Sequence, residues 1–181
     1  MAEDEARRLL SGGRLRRLRR GRPLALELLY LPHWLVVYEA FGIESVGCAD
    51  AGEQLAVLVC RLSGQAAHIR LDSLEIAPGP ATLLPALRAA EAEEQAADFV
   101  GRVLLMAARG KRRRERGRLL RSEACSYPYW VGYFKRRGVL DFLAVDALSG
   151  KHAGTAVRSA IATGLQREDA LKQEARHRAC S

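Results

Sequence analysis

The residues with chemistry to offer are few and scattered. Four histidines (His33, His68, His152, His177) and four cysteines (Cys48, Cys60, Cys125, Cys180) show no metal-ligand spacing and no Cys-x-x-Cys pair. No metal and no cofactor is therefore expected. Glu27 and Glu123 each stand five residues before a proline of a Pro-x-Trp segment. Brought together, two such carboxylates could share acid and base roles, but each has arginines nearby in sequence and is read as an ion-pair partner. No glycine-rich phosphate loop and no nucleophile elbow occurs. No residue is assigned a catalytic role, and a non-enzymatic protein is expected.

Arginine offers a different chemistry. Residues 1–23 carry a net charge of +5, residues 24–108 carry −7, residues 109–122 carry +7 and the remainder +3, within a chain of net charge +8. Two short basic clusters thus flank an acidic stretch. Arg16, Arg17 and Arg20 in the first, with Arg112, Arg113 and Arg116 in the second, are the candidate contacts to nucleic-acid phosphates. The clusters as a whole run over 14–22 and 109–118. Basic charge beside aromatic residues suits single-stranded nucleic acid, although no zinc-finger, helix-turn-helix or RNA-binding signature accompanies it. The competing expectation is that the clusters are neutralised by the acidic middle, including Glu91, Glu93, Glu94 and Asp98, within the fold or an oligomer.

The aromatic content centres on two related segments, "YLPHWLVVYEAFG" from Tyr30 and "YPYWVGYFKRRG" from Tyr127. Offset by 96 residues, Arg16–Trp34 and Arg112–Trp130 agree at nine of nineteen positions, including Gly21/Gly117, Glu27/Glu123, Pro32/Pro128 and Trp34/Trp130. These last are the only two tryptophans in the chain. The match resumes at Leu62-Ser63-Gly64 and Leu148-Ser149-Gly150, after about ten extra residues in the first copy around "GIESVGCADAGEQ". The pattern predicts an internal duplication in which neither copy encloses a core alone. Trp34, Trp130, Tyr127 and Tyr129 are expected to act as structural aromatic anchors.

Each copy reads as a helical element followed by a strand pair. "YWVGYF" and "VLDFLAV" form a hairpin across "KRRG"; "HWLVVYEAFGI" and "QLAVLVCRL" form the longer-linked counterpart. Alternation puts Trp34 and Val36 on one face and His33, Leu35 and Val37 on the other. Both faces are apolar, so this strand is expected to be central or covered on both sides. Pro32 and Pro128 are expected at strand starts, where a missing amide donor costs little. Leu83, Leu87, Ala90, Phe99, Val103 and Ala107 lie at helical spacing. A short basic helix is expected after Gly110, and a C-terminal helix from Thr155. The closing "VDALSG" resembles the strand-turn step of PepSY-type domains, a likeness of six residues that implies no function.

The expected fold is α+β and internally duplicated. Two β-hairpins form an antiparallel sheet with helices packed on it about a pseudo-twofold. Residues 1–80 form the first repeat (basic helix plus hairpin), 81–110 a connecting helix, and 111–181 the second repeat (basic helix, hairpin, C-terminal helix), sharing one core. The segment before Trp34 superficially resembles a membrane span, but Glu27, Pro32, His33 and Glu39 argue against lipid burial. The acidic then basic start has no apolar signal region, so a cytoplasmic location with reduced thiols is expected. Heavy use of Ala, Arg, Leu and Gly fits a GC-rich bacterial genome. The expected role is protein–protein interaction or scaffolding, with a protein partner or a second copy in a homodimer, and nucleic-acid binding as the alternative.

Overall fold

Alternating apolar residues place two long strands at the centre of an antiparallel sheet. The computed structural model describes residues 1–12, 22–40, 53–69, 82–107, 117–136 and 138–179. Its elements are α1 (Glu3–Ser11), β1 (Ala25–Ala40), β2 (Glu53–Cys60), β3 (Ala66–Ile69), α2 (Ala89–Ala107), β4 (Gly117–Arg136), β5 (Val139–Asp146) and α3 (Thr155–Ala179). The strands form one five-stranded sheet in the order β3-β2-β1-β4-β5, and the fold is α+β. The expected hairpins are present, β1 with β2 and β4 with β5, and β3 extends the sheet by a strand that the sequence pattern did not reveal. None of the helices among the described residues is long and apolar enough to cross a membrane.

Two compact units divide the chain: Met1–Leu31, Gly79–Leu84 and Ser126–Ser181 form unit 1, and Pro32–Pro78 with Pro85–Cys125 form unit 2. In unit 2, Trp34, Val36 and Tyr38 stand opposite Val59, Val57 and Leu55. Together they make the apolar face that receives Ala92, Ala96, Val100 and Leu104 of α2. These four follow i,i+4 spacing, and the two alanines let the helix approach the sheet closely. Leu35, Val37, Ala56 and Leu58 on the other face are buried as well, as expected for a strand covered on both sides. In unit 1 the short helix α1 packs on β5, and Leu10, Phe134 and Val145 form a small core bordered by Trp130, Leu26 and Leu143.

Two local expectations are corrected. Pro32 and Pro128 lie inside long strands, with β1 beginning at Ala25 and β4 at Gly117. Both prolines nevertheless sit where hairpin pairing starts: the ladders open at His33↔Cys60 and Tyr129↔Asp146. Each proline uses its carbonyl there, accepting from the Arg61 amide at 2.9 Å and the Ala147 amide at 3.1 Å. A residue without an N–H is tolerated at the limit of a ladder. Secondly, Gly117–Ser122 belongs to β4 and does not continue a basic helix. Ahead of the first arginine cluster, α1 opens with Glu3, Asp4 and Glu5, the charge preferred at a helix start; the basic helix expected in the first repeat lies outside the described residues. The connection 41–52, Gly110 and most of both arginine clusters lie outside the described residues.

Candidate functional site

In each unit the chain runs from a Pro-x-Trp strand into its partner strand and then a tight turn. The turn "CRLSG" of unit 2 begins at Cys60, and "DALSG" of unit 1 begins at Asp146. The two are built alike. Gly64 donates to the Cys60 carbonyl at 2.8 Å, and Gly150 to the Asp146 carbonyl at 2.9 Å. The Cys60 amide donates to Gln65 and the Asp146 amide to Lys151, both at 2.9 Å. The serine hydroxyls of Ser63 and Ser149 accept from the amides two residues on, each at 3.4 Å. Gly64 and Gly150 hold φ of 72° and 69°, a left-handed conformation that a residue without Cβ takes without strain.

Each tryptophan is half-buried against its own helix. Trp34 carries the Arg61 guanidinium over its ring, 4.9 Å from the centroid, and its buried Nε1–H finds no acceptor among the described residues. Trp130 donates from Nε1 to the Met1 carbonyl at 3.3 Å. Tyr127 and Tyr129 are buried, with ring centroids 5.3 Å apart. The Tyr127 hydroxyl donates to Asp146 Oδ2 at 2.9 Å; burial and the Asp146 carboxylate push its ionisation upward. Tyr133 donates to Glu27 at 2.9 Å, and burial with this carboxylate pushes it up to about 12. Glu27 therefore serves a tyrosine, and Glu123 lies 3.6 Å from Arg121.

Arg16, Arg17, Arg20, Arg112, Arg113 and Arg116 lie outside the described residues. Arg118, at the end of the second cluster, is described: its guanidinium meets Glu39 of the acidic stretch at 2.7 Å. Other described arginines are similarly engaged. Arg158 bonds Asp141 at 3.1 Å and stands over the Phe142 ring, and Arg61 Nε donates to the Leu87 carbonyl at 3.2 Å. Among the described residues no group of three His, Cys, Asp or Glu is placed to hold a metal ion.

Sequence reasoning missed the pairing of His33 with Cys60, which face each other across β1 and β2. The signal was present in outline, since fixing the hairpin by its turn sets the register and brings the two together. Cys60 is held down at about 7: burial opposes its ionisation, but the His33 hydrogen bond and charge outweigh it, helped by the Ser63 side chain and the Leu62 amide. Cys125 on β4 behaves oppositely, pushed up to about 12 by burial and by Glu123.

No known protein family, curated protein or solved structure matches this chain.

Proposed function

We propose that the chain is a non-enzymatic interaction module that associates with a protein partner, in the first instance a second copy of itself, through one end of unit 1. The observation that carries this reading is a pair of bared apolar side chains there. Val139 and Leu140 open β5 and are 68% and 65% exposed, and Leu24 is 67% exposed. The Leu24 amide donates to the Tyr133 carbonyl at 2.7 Å, which holds it beside the β4–β5 hairpin. Val139 and Leu140 are consecutive, and neighbouring exposed apolar residues mark interaction surfaces more often than scattered single ones. β5 is also the last strand of the sheet order. Residues 151–153 already bond the far end of that edge, through the Val145↔His152 bridge and the Ala153 amide on the Ala144 carbonyl, so two copies would pair antiparallel about a dyad along the opening residues of β5.

A second feature offers further surface to a partner. Residues 169–177 of α3 are exposed at every position, although they continue the helix that buries Ala160 and Ile161. The i,i+4 pair of Lys172 with Glu168 at 3.6 Å supports this segment, whose exposed surface is open to another molecule. Nucleic-acid binding is the alternative. The ion pair of Arg118 with Glu39 favours internal neutralisation at the one end of the second cluster that is described.

Replacing Val139 and Leu140 by Lys tests the reading. The double variant is expected to weaken self-association at least about tenfold, as loss of a central apolar contact does, with thermal stability unchanged because both side chains are exposed. Unchanged association would remove this surface from the account.

A further inference from the structure

The β1–β2 hairpin places a cysteine and a histidine together by its hydrogen-bond pattern alone. The Arg61 amide bonds the Pro32 carbonyl, so Pro32/Arg61 occupy a hydrogen-bonded position of the ladder. His33 and Cys60, the next pair, therefore face each other at a non-hydrogen-bonded position, where antiparallel side chains come closest. The Cys60 amide turns away to Gln65. Both side chains are buried, at 7% and 8% exposure, and the His33 ring hydrogen-bonds the sulfur.

The matching turn of unit 1 shows what this position accommodates. Asp146 stands there, opposite Tyr129, and its Oδ1 accepts from the Leu148 amide at 2.8 Å and the Ser149 amide at 3.0 Å. Unit 2 has a sulfur where unit 1 has a carboxylate, and the amide of Leu62 serves Cys60 as that of Leu148 serves Asp146. The turn is an anion holder, and in unit 2 a histidine across the ladder completes it. His33 is the titratable group that faces Cys60 among the described residues. The neighbouring Arg61 directs its guanidinium to Trp34 and the Leu87 carbonyl.

We propose that Cys60 and His33 form a reactive thiolate–histidine pair, a site of covalent modification by hydroperoxides. The thiolate sulfur attacks one peroxide oxygen, an S–O bond forms and the O–O bond breaks. The sulfur loses two electrons to the peroxide, giving a sulfenic acid, and the departing hydroxide takes a proton from His33 or solvent to leave as water. Cys60 is only 8% exposed, so the reaction calls for an oxidant as small as hydrogen peroxide. This site lies in unit 2 and is independent of the association surface on unit 1.

The test treats the full-length protein with hydrogen peroxide and dimedone across a pH series, following each cysteine by peptide mass spectrometry. Cys60 is expected to react at least about tenfold faster than Cys125 at neutral pH, with its rate rising through about 7. His33→Asn is expected to slow Cys60 about tenfold and move the inflection toward the ordinary thiol value of roughly 8.5, leaving Cys125 unchanged. Should that variant fail to fold, Ser63→Ala, in an exposed turn position, is expected to move the inflection the same way. The proposal is overturned if wild-type Cys60 reacts no faster than Cys125. It is equally overturned if its rate shows no inflection below that of an ordinary thiol, or if the folded variants leave rate and inflection unchanged.

Discussion

The guanidinium of Arg61 lies over the indole of Trp34, 4.9 Å from the ring centroid, while its Nε donates to the Leu87 carbonyl at 3.2 Å. One side chain thus ties the end of the β1–β2 hairpin to the chain entering α2. Trp34 supplies the apolar area of this contact, so Trp34→Ala is expected to destabilise by about 3 kcal/mol, the usual cost of emptying an aromatic site. Arg61→Ala is expected to cost about 1 kcal/mol. A double-mutant cycle read by denaturant unfolding should return a coupling of about 0.5–1 kcal/mol. A coupling of zero would leave the contact without energetic content.

Tyr133 and Glu27 form a second pair, joined by a 2.9 Å hydrogen bond. The folded-state ionisation of Tyr133 is raised to about 12, so the stability it contributes is complete below the ordinary tyrosine value and is lost as pH rises through about 12. Ultraviolet absorbance titration should show a late-ionising tyrosine. Glu27→Gln is expected to lower that value while leaving it above normal, because burial remains. An unchanged titration would show that the carboxylate is not felt.

Gly64 and Gly150 occupy the same left-handed turn position, with φ of 72° and 69°. A Cβ at either finds only ordinary contacts, with Leu87 at 3.9 Å and Leu9 at 3.6 Å, so backbone strain dominates the effect of Ala. Each Gly→Ala change is expected to cost about 1–2 kcal/mol, and the two costs should agree within about 0.5 kcal/mol. Thermal melts of both variants check this. A large difference would separate the two turns despite their matching hydrogen bonds, and with them the proposed duplication.

The hairpins were legible because their alternation, aromatic content and Leu-Ser-Gly turns are local signals. The early halves of β1 and β4 were not. Pro32 and Pro128 read as boundaries, since the sequence does not show that the hairpin ladder begins one residue later while the strand continues backward. β3 is only four residues, Ala66–Ile69, too short for period-two alternation to register. The buried stripe of α2 runs through Ala92 and Ala96, where large apolar residues at Leu87 and Phe99 drew attention to neighbouring positions. His33 and Cys60 escaped notice because they are 27 residues apart, and only a register makes them neighbours.

Sedimentation velocity of the full chain, run over a concentration series with a labelled single-stranded oligonucleotide of about 20 nucleotides, tests the proposed association most directly. At near-physiological salt, where phosphate binding by clustered arginines is still strong in a true nucleic-acid binder, the label is predicted to sediment as free oligonucleotide. The protein boundary is predicted to move toward that of a dimer as concentration rises, and Val139→Lys with Leu140→Lys should abolish the shift. A boundary that stays monomeric at every concentration, with the label travelling alongside the protein, would contradict the interaction account and establish the nucleic-acid reading in its place.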